Sequence, residues 1–209
     1  MSDADQLVRV VLFRWAGAWG PFKVNIPCGE CALTHDVLAD TFATELAGIP
    51  VEFEVRDWLT EWWKPLPKGG WHAPIVMVEG RLVSQGNALN RGVLTEAVID
   101  AHARRTGVVG NHLFGKATCP HCVRAKGYLE QAGIDYAYHD VVREPRALYE
   151  MLARVKPIVG PKTPITVPQI WLDGAYVGGA DQLSDLLKRE VEPNPDRGQC
   201  SLSPARRAA

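Results

Sequence analysis

Residues 116–122 read Lys-Ala-Thr-Cys-Pro-His-Cys, with a short apolar run over 110–114 before them and helical apolar spacing over 123–132 after them. Gly133 ends the helical stretch, as glycine commonly does. The order is therefore strand, loop with two cysteines, and helix. This arrangement predicts that Cys119 lies at the N-terminus of a helix and that Cys122 lies one turn further along it.

The rest of the second half continues with strand and helix patterns. Apolar alternation predicts strands, and apolar spacing of three to four residues predicts helices. Asp173-Gly174 predicts a tight hairpin turn. The predicted elements are a strand over 135–142, a helix over 145–155, strands over 166–172 and 175–177, and a final helix over 182–190.

The first half repeats this order around a second cysteine pair, Cys28-Gly-Glu-Cys31. The predicted elements are a strand over 7–15, a long loop to the cysteines, a helix over 32–46, a strand over 51–55, a short amphipathic segment over 58–64, strands over 73–78 and 81–83, and a helix over 89–105. The chain therefore looks duplicated.

The internal spacing of the two halves agrees as well. Cys28 precedes Pro74 by 46 residues, and Cys119 precedes Pro168 by 49. In both halves a turn glycine follows the proline by six residues: Gly80, in the predicted hairpin turn Glu79-Gly80, and Gly174. Two matched spacings support a duplicated unit. The predicted division is a first domain over 1–106, a second over 107–191, and a disordered tail over 192–209, where Pro, Arg and Ser are frequent without periodicity.

The composition is that of an ordinary globular protein. Of 209 residues, 46% are hydrophobic and 22% are charged, which excludes largely disordered chains, collagen and coiled coils. The formal net charge of -1 does not point to nucleic acid or an anionic membrane surface as a partner. No basic signal segment and no apolar stretch of about 18 to 20 residues is visible. We therefore expect a soluble cytoplasmic protein.

Five cysteines are too few for a fold of this length that is stabilised mainly by disulfide bonds. Four form the two Cys-x-x-Cys pairs, which in a cytosolic protein indicate redox chemistry or metal binding. Zinc ribbons place two such pairs about 15 to 20 residues apart, whereas 88 residues separate Cys31 from Cys119. A shared structural zinc is disfavoured, and we predict no metal site. Cys200 is interpreted as an exposed bystander, with a regulatory thiol as the alternative.

Thiol–disulfide exchange needs an accessible thiolate near neutral pH. The unpaired N–H groups and the dipole of a helix N-terminus would favour a negative charge on Cys119, and Pro120 suits the first helical position because it needs no N–H partner. Cys119 is thus the predicted nucleophile and Cys122 the resolving cysteine. A protonated His121 would favour the thiolate further, whereas Glu30 would place a second negative charge beside the first pair, so the two sites are expected to differ in redox potential.

The order β-α-β-α-β-β-α, with cysteines before the first helix and a proline at the third strand, resembles the thioredoxin superfamily. In the second half, Lys116-x-x-Cys119-Pro-x-Cys122, Thr166-Val167-Pro168 and Gly178-Gly179-x-Asp181 narrow the resemblance to glutaredoxin. The first half is similar to a divergent glutaredoxin or thioredoxin-like domain. The resemblance implies an α/β protein of two consecutive thioredoxin-like (glutaredoxin) domains, each a mixed four-stranded sheet flanked by helices.

The same resemblance implies a substrate site. Both prolines would be cis and lie against the cysteines, leaving the preceding backbone free to pair with a thiol substrate. Glutathione would be the co-substrate, and no tightly bound cofactor is expected. The implied glutathione residues are Lys116 for the glycyl carboxylate, Thr166, Val167 and Pro168 for the cysteinyl unit, and Gly179, Ala180 and Asp181 for the γ-glutamyl end. One departure is Ile165, where many glutaredoxins carry a basic residue; Lys162 is the candidate substitute.

The first half lacks most of this set. Asn25 stands three residues before Cys28, and His72-Ala73-Pro74 replaces Thr-Val-Pro, which leaves Pro74 as the one predicted substrate-binding residue there. Six of the seven tryptophans lie in this half. They belong to the core or form an apolar platform for a protein or hydrophobic substrate, and the sequence leaves both open. In the second half, Tyr128, Trp171 and Tyr176 fit core or near-core positions and need no functional role.

These observations predict a tandem glutaredoxin that reduces protein disulfides or glutathione mixed disulfides. Cys119 would attack and Cys122 resolve, with glutathione as electron donor, and Cys28 and Cys31 would form a second redox-active dithiol. Three alternatives stay open: a disulfide reductase that depends on thioredoxin reductase, a carrier of an iron–sulfur cluster or soft metal, and a first domain that only recruits substrate.

Overall fold

Two mixed four-stranded sheets, one in each half of the chain, organise the fold. The computed structural model describes residues 6–25, 27–160 and 162–191. The first half contains β1 (Val8–Arg14), β2 (Ala16–Trp19), β3 (Phe22–Asn25), α1 (Gly29–Ala43), β4 (Val51–Asp57), α2 (Trp58–Glu61), a 3-10 turn (Leu66–Lys68), β5 (Ile75–Val78), β6 (Arg81–Gln85) and α3 (Arg91–Ala103). The second half contains β7 (His112–Gly115), α4 (Pro120–Gln131), β8 (Ala137–Asp140), α5 (Pro145–Val159), β9 (Gln169–Leu172), β10 (Ala175–Gly178) and α6 (Ala180–Val191).

The two sheets have the same strand order, β4-β1-β5-β6 in the first half and β8-β7-β9-β10 in the second. In each sheet one pair is parallel and the other two are antiparallel. Parallel strands need a long crossover, and a helix that carries the cysteines supplies it in both halves. The mixed α/β fold is therefore confirmed, whereas the division into two domains, at 1–106 and 107–191, stays a prediction.

Both predicted hairpin turns are present. Asp173 and Gly174 have φ values of 47° and 79°, and Glu79 and Gly80 have 49° and 70°. Positive φ at both central residues is the geometry of a type I′ turn, whose twist matches that of the flanking strands. Each turn connects the two strands that follow the cis-proline segment of its half.

The segment before Cys28 is not the long loop that the sequence predicted. β2 and β3 pair antiparallel from Ala16 opposite Asn25 to Trp19 opposite Phe22. The backbone N–H of Ala18 donates to Oγ1 of Thr60 over 2.8 Å, which ties this hairpin to α2. The prediction failed because the strands are four residues long and glycines interrupt the alternation that signals a strand.

Each half has its own apolar core. Helices α1 and α3 cover the first sheet, and the fully buried side chains there include Val8, Val10, Leu12, Leu38, Leu94 and Val98. In the second half, α4 and α6 cover one face of the sheet with Leu113, Ala125, Leu129, Ile170 and Leu183. Helix α5 covers the opposite face, where Phe114, Met151, Val155 and Trp171 are buried. In the second half, helices on both faces shield the sheet from water, as expected of this fold class.

Helix α5 also contacts the first half. Its residues Tyr149 and Ala153 pack into the first-half core beside α3. Two arginines of α5 donate to backbone oxygens outside it: Arg146 to Ala47 over 2.6 Å and Arg154 to Thr106 over 3.0 Å. An apolar contact flanked by hydrogen bonds therefore joins the two halves.

The predicted disordered tail at 192–209, with Cys200, lies outside the described residues. Among the helices that the structure does describe, none combines the length and the apolar character needed to cross a bilayer.

Candidate active site

Cys119 caps the N-terminus of α4, and Pro120 is the first residue of that helix. The Cys119 side chain is partly exposed, whereas Cys122, one turn along, is 1% exposed. The predicted positions of the two cysteines on the helix are therefore confirmed. This arrangement presents one sulfur atom to solvent and keeps the other directly behind it.

The two sulfur atoms have different electrostatic surroundings. Burial opposes ionisation of Cys119, but hydrogen bonds from Cys122 and from the backbone N–H of His121, together with the charge of Lys116, outweigh it and lower the pKa of Cys119. At Cys122 burial dominates and raises the pKa of the thiol to about 11, although the N–H of Lys116 donates to its sulfur over 3.4 Å. The exposed sulfur is thus the better thiolate.

The proline segment lies directly against this sulfur. The Val167–Pro168 peptide bond is cis, as the resemblance implied, and Sγ of Cys119 lies 3.7 Å from the carbonyl oxygen of Val167. Thr166 is exposed and Val167 is partly exposed. The segment at 166–167 therefore borders solvent beside the thiol.

The other residues implied for glutathione lie at two helix N-termini. Lys116 is exposed, and its carbonyl accepts from the N–H of Cys119 over 3.1 Å. Ala180 and Asp181 open α6, and the N–H of Gly179 donates to Oε1 of Gln182 over 3.1 Å. Oδ1 of Asp181 accepts from Arg124 of α4 over 2.8 Å, which brings the N-terminus of α6 to the helix of Cys119.

Arg124 is a site residue that the sequence interpretation missed. Its Nη2 contacts both Asp181 and Nδ1 of His121, the latter over 2.9 Å. A guanidinium only donates, so Nδ1 of His121 accepts and the imidazole carries its proton on Nε2. The spacing of three residues on a helix could have indicated the contact with His121, but nothing in the sequence indicated the contact with Asp181.

The departure at Ile165 has a structural reason. Ile165 is partly buried and packs into the cluster around Phe114 and Trp171. A basic residue at this position would lose that packing. Lys162, the candidate substitute, is exposed.

The first cysteine pair has the same arrangement on α1. Cys28 is the N-cap residue, its sulfur accepts from the N–H of Cys31 over 3.3 Å, and its thiol donates to Oε2 of Glu30 over 3.5 Å. Burial, followed by the hydrogen bond with Cys28, raises the pKa of Cys31 to about 11. The Ala73–Pro74 peptide bond is cis. The sulfur of Cys28 thus contacts the carboxylate of Glu30. In the second site, by contrast, the positive charge of Lys116 acts on the sulfur of Cys119.

A cavity of about 330 Å³ opens beside the first pair, with Trp15, Cys28 and Cys31 in its lining. Trp15 packs edge to face on Trp58 with ring centroids 4.8 Å apart, and its ring lies 5.6 Å from that of His72.

The tryptophans divide between the two interpretations. Trp58 is partly buried against the cluster of Phe13, Ile75 and Met77, as expected of a core residue. The exposed fractions of Trp62, Trp63 and Trp71 are 38%, 53% and 64%. The Trp19 side chain lies outside what the structure describes.

Within residues 6–25, 27–160 and 162–191, no group of three or more His, Cys, Asp or Glu side chains is placed to hold a metal ion.

Comparison with known proteins assigns the second half to one family. The family model described as glutaredoxin matches residues 112–177. The chain is 34% identical to the glutaredoxin of Haemophilus influenzae over 84 residues, which are 37% of this chain and 90% of that protein. It is 32% identical to glutaredoxin 3 of Escherichia coli K12 over 77 residues, 37% of this chain and 84% of the relative. For glutaredoxin 1 of Rickettsia conorii the identity is 38%, over 34% of this chain and 66% of the relative.

Solved glutaredoxin structures match a somewhat larger share of this chain. The buckwheat glutaredoxin–glutathione complex is 19% identical with a TM-score of 0.38, over 46% of this chain and 86% of that one. The glutaredoxin of Brucella melitensis is 28% identical with a TM-score of 0.32, over 40% of this chain and 84% of that one.

Proposed function

The chain belongs to the glutaredoxin family of thiol–disulfide oxidoreductases, and on this premise we propose that it reduces protein disulfides and glutathione mixed disulfides through Cys119 and Cys122, with glutathione as the reductant. The observation that carries the proposal is the lowered pKa of Cys119 at a helix N-terminus, 3.7 Å from the backbone of the cis-proline segment. Nucleophile and substrate-pairing backbone thus lie side by side.

The first step is attack of the Cys119 thiolate on the sulfur of a disulfide. A new S–S bond forms to Cys119, the old S–S bond breaks, and the leaving thiolate takes a proton from solvent. With a glutathione mixed disulfide, the glutathionyl group stays on Cys119, and a second glutathione thiolate removes it as oxidised glutathione.

With a protein disulfide, Cys122 completes the reaction. After Cys119 has formed a mixed disulfide with the protein, the Cys122 thiol loses its proton and attacks Sγ of Cys119. An intramolecular disulfide forms and the protein leaves with both thiols reduced. Because burial raises the pKa of Cys122 to about 11, this cysteine does not compete as first nucleophile at neutral pH.

The glutathione site that we propose combines charged side chains with the backbone beside Cys119 and at the N-terminus of α6. The ammonium of Lys116 would bind the glycyl carboxylate, and Val167 beside Pro168 would pair with the cysteinyl unit in strand-like fashion. Gly179, Ala180 and Asp181, at the N-terminus of α6, would hold the γ-glutamyl end. Thr166, exposed at the start of this segment, would line the same groove.

We propose that Cys28 and Cys31 form a second redox-active dithiol, in a first domain over 1–106 that precedes the second over 107–191. Its support is the repeated geometry: Cys28 at a helix N-terminus and Pro74 in a cis peptide bond. Cys28 would be the nucleophile and Cys31 the resolving cysteine.

The test is a coupled assay with NADPH, glutathione reductase, glutathione and the mixed disulfide of glutathione and 2-mercaptoethanol. Wild type, Cys119→Ser and Cys28→Ser are compared. We expect activity in the wild type and in Cys28→Ser, and none in Cys119→Ser. An inactive wild type would contradict glutathione dependence and direct attention to thioredoxin reductase as electron donor and to metal analysis of the purified protein.

A further inference from the structure

A buried amide lies directly behind the cis-proline segment. Gln169 follows Pro168 as the first residue of β9, and its side chain is in the core, at 7% exposure. Its Nε2 donates to the carbonyl oxygen of Thr166 over 2.6 Å, and its Oε1 accepts from the hydroxyl of Tyr176 over 2.5 Å. Both ends of the amide therefore have partners.

This amide connects the hairpin to the segment beside the nucleophile. Tyr176 lies on β10, across the hairpin from Trp171, and its ring is 5.1 Å from the indole. The aromatic contact fixes the phenol, the phenol fixes the amide, and the amide holds the carbonyl of Thr166. Thr166 immediately precedes Val167, whose own carbonyl is 3.7 Å from Sγ of Cys119.

A buried amide is costly in a core unless its hydrogen bonds are made. A leucine would fill similar space at this strand position without that requirement. The amide of Gln169 does meet this requirement, and its bond to the Thr166 carbonyl ties that segment to β9.

The first half holds its equivalent segment differently. The residue after Pro74 is Ile75, which is fully buried and cannot hydrogen-bond. Its cross-strand neighbour Gln85 supplies the amide, and Oε1 of Gln85 accepts from the N–H groups of Trp71 and His72 over 3.0 and 3.4 Å. In each half a glutamine thus hydrogen-bonds to the backbone that precedes the cis-proline. The backbone bound by Gln169 is the one that lies beside Cys119.

We propose that Gln169 and Tyr176 are positioning residues that fix the Thr166–Val167 backbone for pairing with the cysteinyl unit of glutathione. This inference rests on the proposed function of the second site. Neither side chain touches the reacting sulfur atoms in the structure, so both act through the backbone of Val167.

The test uses the full chain with Gln169→Leu, Tyr176→Phe, the double variant, and Gln85→Leu as the matched control. Steady-state kinetics with the mixed disulfide of glutathione and 2-mercaptoethanol give KM and kcat, and the pH profile of iodoacetamide alkylation gives the pKa of Cys119. We expect KM to rise about tenfold in Gln169→Leu and about threefold in Tyr176→Phe, with kcat within about twofold, because lost ground-state binding appears in KM.

Three further results are expected. The double variant should resemble Gln169→Leu, since the two side chains form one chain of hydrogen bonds. The alkylation profile should match wild type in every variant, which separates positioning from general damage to the fold. Gln85→Leu should leave KM unchanged.

Unchanged KM in Gln169→Leu and Tyr176→Phe with an active wild type would overturn the inference but not the proposed function, whereas an inactive wild type would overturn both. If Gln169→Leu does not fold, Tyr176→Phe decides alone, because it removes one hydroxyl and keeps the ring. A KM in that variant equal to the wild-type value would then contradict the inference.

Discussion

The Sγ atom of Cys119 lies 3.7 Å from the carbonyl oxygen of Val167, the residue joined to Pro168 by a cis peptide bond. A thiol donates to this carbonyl, whereas a thiolate has no proton to donate. Ionisation of Cys119 therefore removes this hydrogen bond and leaves the Val167 carbonyl without it. In the function that we propose, the same event creates the nucleophile, and the carbonyl would then accept from the backbone of a bound substrate.

The two cysteines of the second site should be separable by substitution. Cys119→Ser should lose turnover of the glutathione–2-mercaptoethanol mixed disulfide, because Cys119 is the partly exposed cysteine of this pair and Cys122 is buried. Cys122→Ser should keep turnover of the glutathione–2-mercaptoethanol mixed disulfide, which needs no resolving cysteine, and lose most reduction of a protein disulfide such as that of insulin. Equal loss on both substrates in Cys122→Ser would contradict this assignment.

Lys116 should tune the nucleophile by its charge. Its positive charge contributes to the lowered pKa of Cys119, so Lys116→Gln should raise that pKa and slow alkylation below it. Lys116 is exposed, and interactions between charges at the protein surface are worth about 0.2–1 kcal/mol. The alkylation rate should therefore fall by up to about fivefold. The effect should shrink in high salt. Lys188→Gln, in the last turn of α6, is the charge-matched control and should alkylate like wild type.

The sequence was sufficient for the features that depend on local pattern. The cysteine pairs, the matched proline spacings and the Asp173-Gly174 turn are each set by a few adjacent residues, and they placed Cys119 at a helix N-terminus correctly. The helix over 145–155 was also identified, although it extends to Val159 with Pro157 inside it.

Features that depend on contacts between distant residues could not be predicted. Arg124 and Asp181 are 57 positions apart and meet only because α4 and α6 pack together. Tyr176 was assigned to the core for its ring, but its hydroxyl reaches Gln169 across a hairpin. The short β2–β3 hairpin likewise depends on α2, to which it is bonded through Thr60.

Two partly buried histidines should make the fold sensitive to mild acid. Burial lowers the pKa of His102 and of His139, and neighbouring His112 lowers that of His139 further. Since the pKa of a histidine in the unfolded chain is about 6.5, the unfolded chain binds protons first as the pH falls. The stability that depends on these two neutral histidines is therefore fully present above that pH. It is lost as the pH falls toward the lower pKa values that the histidines have in the folded protein. Urea midpoints at pH 7.5 and 5.5 should show this loss.

A substitution can assign that loss to a particular ring. His139 stacks on Phe114 with centroids 4.6 Å apart, so His139→Phe keeps an aromatic ring there and removes the titrating group. The difference between its two urea midpoints should be smaller than in wild type. His35→Gln, at an exposed position of α1, should keep the wild-type difference, and a variant His139→Phe that does so too would refute the assignment.

Two glycines near Cys122 should respond to alanine in opposite directions. A Cβ on Gly115 would lie 3.0 Å from Leu113, 3.1 Å from Sγ of Cys122 and 3.3 Å from Tyr138, whereas a Cβ on Gly127 would have no neighbour within 4 Å. Overpacking costs about 1–3 kcal/mol, so Gly115→Ala should lower the free energy of unfolding by about that amount. Gly127 lies inside α4, where alanine in place of glycine should stabilise the fold by about 0.5–1 kcal/mol.

The same two variants should differ in activity. Because the new methyl group would press on Sγ of Cys122, Gly115→Ala should slow insulin reduction more than turnover of the glutathione mixed disulfide. Gly127→Ala should leave the ratio of the two rates unchanged. Urea unfolding and the two assays on both variants measure this, and a Gly115→Ala protein as stable as wild type would show that the space behind Cys122 is not tightly packed.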